Sequence, residues 1–331
     1  MKNEDKLIMS KKVNLASPKA GAKIIDVSDD FFAKCDRMLN DTDPIFIDDK
    51  YDDHGKWMDG WESRRKRVEG NDWAIIGLGG RCSIKDVIID TSHFTGNYPP
   101  AASLDFSSNH SYETGSLDWH PLLEKQILKG DHVNEFQLLK NENVTYVRLN
   151  IFPDGGVARL RLFGDLIPFS QDLSKAIELS ALKNGGKIVG YNNAHYGNVN
   201  ALLSEGRGTT MGDGWETRRR RVPGNDFIII ELGTPGLISN VEIDTCHFKG
   251  NFPDRASIQT IDLNNEKDKM KAFEASNNWE FFLGEKKCKA DTIHKFEKND
   301  FLHEKIVSHI RLNIYPDGGV SRFRIFGQPV S

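Results

Sequence analysis

A chain of 331 residues exceeds the length at which one hydrophobic core usually stops growing, so two domains are expected before any pattern is read. With 38% hydrophobic residues, 28% charged residues and 19 Phe, the composition excludes a disordered chain. A formal charge of -4 excludes a protein built mainly to coat nucleic acid or an anionic membrane.

Residues 1–20 read as a soluble tail, because Met1 to Lys12 carries six charged residues and no apolar run long enough for a signal peptide or a membrane span. The four cysteines, Cys35, Cys82, Cys246 and Cys288, do not superpose when the chain is aligned on itself, and no two are close enough in sequence to suggest a disulfide ladder or a zinc knuckle. That favours a reducing, cytoplasmic setting. The final Pro329-Val330-Ser331 is not a peroxisomal address.

The chain repeats itself. Asp59-Gly60-Trp61-Glu62-Ser63-Arg64-Arg65-Lys66-Arg67-Val68 returns as Asp213-Gly214-Trp215-Glu216-Thr217-Arg218-Arg219-Arg220-Arg221-Val222, and carried on to Gly79 and Gly233 the two copies agree at 15 of 21 positions. Self-similarity at so long a period marks a duplicated domain. The expected boundaries are 21–165 for the first repeat, 166–182 for a linker and 183–331 for the second.

In chain order, Gly21 to Val27 and its partner Gly185 to Val189 read as first strands. The runs after Asn71-Asp72 and Asn225-Asp226 read as buried strands. Val87 to Asp90 leads into a polar loop holding His93 and Asn97, and the second copy places His247 and Asn251 likewise. Nine extra residues fall between Ile258 and Arg311 of the second copy, and insertions belong in surface loops. Arg148 to Gly164 agrees with Arg311 to Gly327 at 13 of 17 positions, and its Pro-Asp-Gly-Gly centre predicts a hairpin. In that register Asn150 faces Arg159 and Arg148 faces Arg161, above a core face of Leu149, Leu160, Val147 and Leu162. The second copy puts Asn313 opposite Arg322 and Arg311 opposite Arg324. Between the repeats, Ala176, Ile177, Leu179 and Leu182 recur near helical spacing behind Ser170 or Ser174, so the linker is expected to be partly helical. Many short strands and glycine-rich turns predict an all-β protein of two tandem jelly-roll β-sandwiches joined by a short helical linker.

Opposed arginines repel unless an anion lies between them. An internal carboxylate such as Asp59, Glu62 or Asp154 could supply it, and so could a bound carboxylate held in the guanidinium fork. The basic runs at 64–67 and 218–221 cannot form one nucleic-acid surface, because successive side chains in an extended segment point to opposite faces. An Asp-x-x-His pair such as Asp90 and His93 is short of the three or four ligands of a zinc site and equally describes a loop-locking histidine. Trp61 and Trp215 fit a core or a pocket wall. No Ser-His-Asp order, phosphate loop or dinucleotide fingerprint appears in a convincing context.

Taken with their second copies, the stretches Trp57 to Arg65, Asp90 to Pro99 and Arg148 to Gly156 resemble the allantoicase family from about Gly21 to Gly327. The resemblance implies hydrolysis of allantoate to ureidoglycolate and urea, by two lobes related to galactose-binding-like modules that assemble into homo-oligomers. Under it, Arg148 or Arg161, or Arg311 and Arg324, would hold the substrate carboxylate, with Arg64 and Arg218 as further substrate-binding candidates. Glu62 or His93, or Glu216 or His247, would protonate the departing nitrogen; Asp59 or Asp213 would activate water; Asn97 and Asn251 would bond the ureido carbonyl. The partner expected is this small molecule, with no nucleic acid and no membrane. No cofactor is required by the sequence, and a divalent metal is left open. A non-catalytic tandem sandwich that binds a small ligand or a carbohydrate is the alternative.

Overall fold

The computed structural model describes residues 6–10, 12–109, 117–139, 143–167, 175–263 and 267–330. The chain divides into two compact units, one formed by Lys12–Ile167 and the other by Pro168–Ser331 together with Met1–Lys11. Strands are numbered here in chain order. The first, β1 (Ile8–Met9), pairs with Tyr191 and Gly190 and so belongs to the second unit.

The first unit is organised around one strand. Its elements are β2 (Val13–Asn14), β3 (Lys23–Val27), β4 (Tyr51–Asp52), β5 (Gly55–Lys56), β6 (Trp61–Glu62), β7 (Asp72–Asp90), β8 (Ala101–Ser107), β9 (His120–Ile127), β10 (Val133–Gln137), β11 (Val144–Phe152), β12 (Gly156–Val157) and β13 (Arg159–Ile167). At 19 residues β7 is too long for one layer of a small sandwich, and it serves both. Its first half pairs with β3 and β11, and β11 continues to β8 and β9; its second half pairs with β10 and β13. The glycine-rich Gly77–Gly80 lies between the halves. Gly79 is needed there, since a Cβ would stand 1.8 Å from the carbonyl oxygen of Ala20.

Alternation then fills the space between the layers. Ala74 and Ile76 with Val147, Leu149 and Ile151 face Val87, Ile89, Leu160 and Leu162, all fully buried in one cluster with Trp61. Residues 12–20, read from the sequence as part of a tail, are built into this unit: β2 pairs with Phe163 and Gly164, and Leu15 and Ala16 join the core.

The second unit repeats the plan with β14 (Ile177–Glu178), β15 (Lys187–Tyr191), β16 (Trp215–Glu216), β17 (Asp226–Asp244), β18 (Arg255–Ile261), β19 (Glu280–Lys287), β20 (Ile293–Glu297), β21 (Val307–Tyr315), β22 (Gly319–Val320) and β23 (Arg322–Pro329). Its long strand β17 pairs with β15 and β21 at one end and with β20 and β23 at the other. Part of the extra length of this repeat forms α1 (Lys269–Glu274), the single α-helix among the described residues, so the architecture is all-β with two tandem sandwiches. The linker differs from expectation. Leu166 and Ile167 end β13, Ile177–Glu178 is a strand paired with Gly327 and Phe326, and a helical turn begins only at Leu182–Asn184. The apolar spacing there reflects burial of Leu179 and Leu182 beneath a sheet edge, while the suggested caps Ser170 and Ser174 lie outside the described residues.

The predicted hairpin is also corrected. β11 and β13 pair on opposite ends of β7, Arg148 beside Ile75 and Arg161 beside Ile88, so the Pro-Asp-Gly-Gly loop crosses from one layer to the other. Both copies turn there through a cis proline, Phe152-Pro153 and Tyr315-Pro316. Alternation separates the apolar face from the polar one, although Asn150 and Arg159 on the polar face are buried as well, and it cannot tell a hairpin from an arch, because both bury the same apolar residues.

Candidate active site

The repeated Trp-Glu dipeptide is the anchor. Trp61 is fully buried and donates its indole N–H to the Asp29 carbonyl at 2.8 Å, and β6 pairs with β12, Glu62 opposite Gly156. Trp61 and Trp215 are therefore core residues, and each turns the following glutamate toward the surface as a half-buried side chain. β7 ends at buried Asp90, whose Oδ1 accepts the Ser92 N–H, while Thr91 donates its hydroxyl to the Lys129 carbonyl. That forces His93 into the left-handed region with φ 70, and the Asp131 carboxylate accepts its backbone N–H at 2.8 Å. His247 repeats this with φ 68 and Asp291. A non-glycine residue held there is strained, and such strain is concentrated at functional sites.

The two segments meet at Asn97. Its carbonyl accepts the Gly156 N–H at 2.7 Å, and its Nδ2 donates to Glu62 Oε1 at 2.8 Å. Burial pushes the Glu62 carboxyl above its ordinary range, and the Asn97 hydrogen bond works in the opposite direction without cancelling it. The His93 ring approaches the Pro44 carbonyl through Nε2 at 3.2 Å. A carbonyl only accepts, so Nε2 carries the proton and Nδ1 is the ring's acceptor in the neutral form.

Glu62, His93, Asn97, Thr95 and Asp131 line a cavity of about 560 Å³. Phe32, Phe46 and Met58 give it an apolar wall, and His54, Gly55 and Lys56 close one side. Its size suits a small molecule, for which about 300–1,000 Å³ is usual. Three of the residues expected from the sequence, Glu62, His93 and Asn97, are thus brought together.

The others stand elsewhere. Asp59 was expected to activate water, but its carboxylate is an anchor behind the wall: Oδ2 accepts Arg159 Nη2 at 2.7 Å and the Ile45 N–H at 3.0 Å. Arg159 is fully buried and also donates to the carbonyls of Thr42, Asp59 and Ala158. The expected carboxylate fork of Arg148 and Arg161 is not formed. Arg148 is paired with Asp105 at 2.8 Å and lies over Trp119, and Arg161 donates to the carbonyls of Asp41 and Thr42. Arg64 is paired with Asp29.

The second repeat keeps the same connections. Asn251 donates to Glu216 at 2.6 Å, His247 Nε2 meets the Gly208 carbonyl at 2.8 Å, and Asp213 accepts Arg322 at 2.9 Å. Of its arginines, Arg218 is exposed and its backbone N–H is bonded to Asn193, Arg324 is paired with Glu178, and Arg311 is buried between Ser276 and the Phe227 ring.

Sequence reading missed Asp131 and Asp291, which lie 38 and 44 residues from the histidines they fix, and it missed Lys56, Phe46 and His54 on a stretch with no second copy. Arg159 and Arg322 were visible in the repeated block, but only burial reveals their part. Among the described residues, no three or more His, Cys, Asp or Glu are grouped to hold a metal ion. All four cysteines are buried and free of disulfides.

Fold and site together define a duplicated β-sandwich protein whose repeats each join a carboxyl to a carboxamide, and whose first repeat sets an imidazole on the same cavity. Residues 13–167 and 177–330 both match the allantoicase repeat. A probable allantoicase of Acinetobacter baylyi is 48% identical over 317 residues, 96% of this chain and 94% of that protein. One from Acinetobacter baumannii is 47% identical over 321 residues, 97% of this chain and 95% of that protein. The crystal structure of allantoicase from Saccharomyces cerevisiae superposes with a TM-score of 0.79 at 32% identity, covering 95% of this chain and 92% of that one. The chain belongs to the allantoicase family.

Proposed function

We propose that the protein is a hydrolase that converts allantoate to ureidoglycolate and urea. The observation that carries this reading is the contact of Asn97 with Glu62 on a cavity shared with His93, in a chain of this family. Allantoate bears two ureido groups on the carbon next to its carboxylate, and the reaction replaces one of them by hydroxyl.

Glu62 is suited to be the acid, since burial raises its pKa and so shifts it toward the protonated form. Asn97 donates to Oε1, which leaves Oε2 as the oxygen that carries the proton. Transfer of that proton to the departing nitrogen breaks the carbon–nitrogen bond, and the remaining ureido nitrogen supplies electrons to the carbon as an iminium-like centre. Water adds to it and gives its proton to His93 Nδ1. Return of one proton from His93 to Glu62 through solvent resets the site, so one water is consumed and one urea leaves. Asn97 is thereby a positioning residue for Glu62.

These steps use protein side chains alone, and urea release measured after dialysis against a chelator tests that. Homo-oligomeric assembly and a cytoplasmic setting are part of the same proposal, supported by the family and by the four free thiols; light scattering on the purified protein tests the first. The decisive experiment is urea release from allantoate by the purified chain. A protein that binds allantoate or a sugar without releasing urea would instead be a binding module.

A further inference from the structure

The two repeats share the Glu-Asn hydrogen bond and the left-handed histidine but differ in the segment before the repeated block. In both, a backbone N–H on the segment before the repeated block is tied to the block's first aspartate: Ile45 to Asp59, 14 residues apart, and Thr209 to Asp213, 4 residues apart. The first repeat therefore carries ten more residues between equivalent anchors (14 − 4). They form the β4–β5 hairpin, Tyr51 pairing with Lys56 and Asp52 with Gly55, and it is this hairpin that brings His54, Gly55 and Lys56 to the cavity.

Among the described residues lining the cavity, Lys56 alone carries a permanent positive charge. Its ammonium lies 4.6 Å from the centre of the Phe46 ring and 3.1 Å from Asp48 Oδ1. Asp48 is largely exposed, at 84%, so this ion pair is of the weak surface kind and is readily exchanged for another carboxylate. Phe46 holds the lysine head at the cavity through its ring face whichever anion is bound. In the second repeat the arginine next to the corresponding loop, Arg207, is directed to Asp244 and Asp291.

We propose that Lys56 receives the substrate carboxylate, exchanging Asp48 for it, and that the hairpin bearing Lys56 makes the first repeat the working site. This rests on the reading of allantoate as substrate. Docking the carboxylate at Lys56 fixes the adjacent carbon, with its two ureido groups, between Glu62 and His93. The arginines Arg148 and Arg161, committed to Asp105 and to backbone carbonyls, have no part in it.

Steady-state urea release by the full chain tests the assignment. Lys56→Gln is expected to raise KM for allantoate about 10- to 100-fold, the worth of one charge-assisted hydrogen bond, with kcat changed far less. Lys56→Arg should recover part of the loss. Asp48→Asn, which removes the competing carboxylate, should lower KM, and it provides the reading should Lys56→Gln fail to fold. Lys50→Gln is the control, a lysine of the same segment stacked on Trp57 and absent from the cavity wall, and it should keep the parental KM. A parental KM in Lys56→Gln, an equal rise in Lys50→Gln, or a raised KM in Asp48→Asn overturns the proposal. An unaltered protein that releases no urea overturns the substrate reading as well, whereas normal turnover with an indifferent Lys56 overturns the lysine assignment alone.

Discussion

Asn97 and Glu62 are joined by a hydrogen bond of 2.8 Å that is reproduced between Asn251 and Glu216 at 2.6 Å. Each bond ties the loop after a long strand to the two-residue strand behind a buried tryptophan. In the first repeat it has a titrational consequence. Burial raises the Glu62 pKa and the Asn97 donor lowers it. In the proposed role of general acid Glu62 acts while protonated, so kcat is expected to fall as pH rises through that pKa. Asn97→Leu removes the lowering influence, and the alkaline limb of the kcat profile is expected to move to higher pH. Glu62→Gln should lower kcat by about 100-fold or more at every pH, because an amide cannot supply the proton. A pH–rate series on the three proteins checks both, and an unmoved limb in Asn97→Leu would remove the coupling.

Much of this site was legible because it occurs twice. Glu62, His93 and Asn97 stand at fixed places in stretches whose second copies preserve residue type and spacing, so their nearness could be expected without knowing the path of the chain. The path itself was not legible. Arg148 and Arg161 have the alternation of a hairpin, yet each pairs with a different end of β7, and Asp105 on the neighbouring strand β8 satisfies Arg148. Lys56 was hidden for the opposite reason: its hairpin has no second copy and reads locally as an acidic loop. Periodicity reports which face a residue takes, and long-range pairing decides what it meets there.

Arg159 and Asp59 form a buried ion pair at 2.7 Å, the guanidinium wholly enclosed. Removing one partner leaves the other charge uncompensated, so Arg159→Ala should destabilise the first unit by about 3–5 kcal/mol. The paired replacement Arg159→Met with Asp59→Asn should cost less than the two single changes added together, since neither charge is then stranded. Urea denaturation curves measure this. Additive losses would mean that the carbonyl contacts of Arg159, and not its charge, hold the loop around Thr42.

Glu231 offers a pH test of the second unit. Burial alone would raise its carboxyl, but the His309 ring, whose Nε2 lies 3.7 Å from Glu231 Oε2, and the charge of Lys187 hold it down from the ordinary 4.5 to about 2. A pKa lowered on folding contributes stability above the unfolded value and loses it as pH falls through the folded one. The contribution is therefore complete above about 4.5 and disappears toward 2. Glu231→Gln should be less stable than the parent by about 1–3 kcal/mol at pH 7, and the two denaturation midpoints should converge as pH falls toward 2. A difference that stays constant over that interval would assign the effect to packing.

Gly156 links packing to chemistry. It belongs to β12 opposite Glu62, its N–H is held by the Asn97 carbonyl, and a Cβ placed on it would lie 1.9 Å from the Phe94 ring. Phe94 is fully buried and directly follows His93, so it cannot yield without moving the histidine. Gly156→Ala should therefore cost about 1–3 kcal/mol in stability, as overpacked cores do. It should also lower urea release by more than the folded fraction accounts for, because the same methyl displaces the strand beneath Glu62 and the loop bearing His93. Reducing the ring in Gly156→Ala/Phe94→Leu should restore part of both losses, read from melting temperature and kcat on the same samples. Recovery of stability without recovery of kcat would show that the ring itself, and not only the space it occupies, holds His93 in its left-handed conformation.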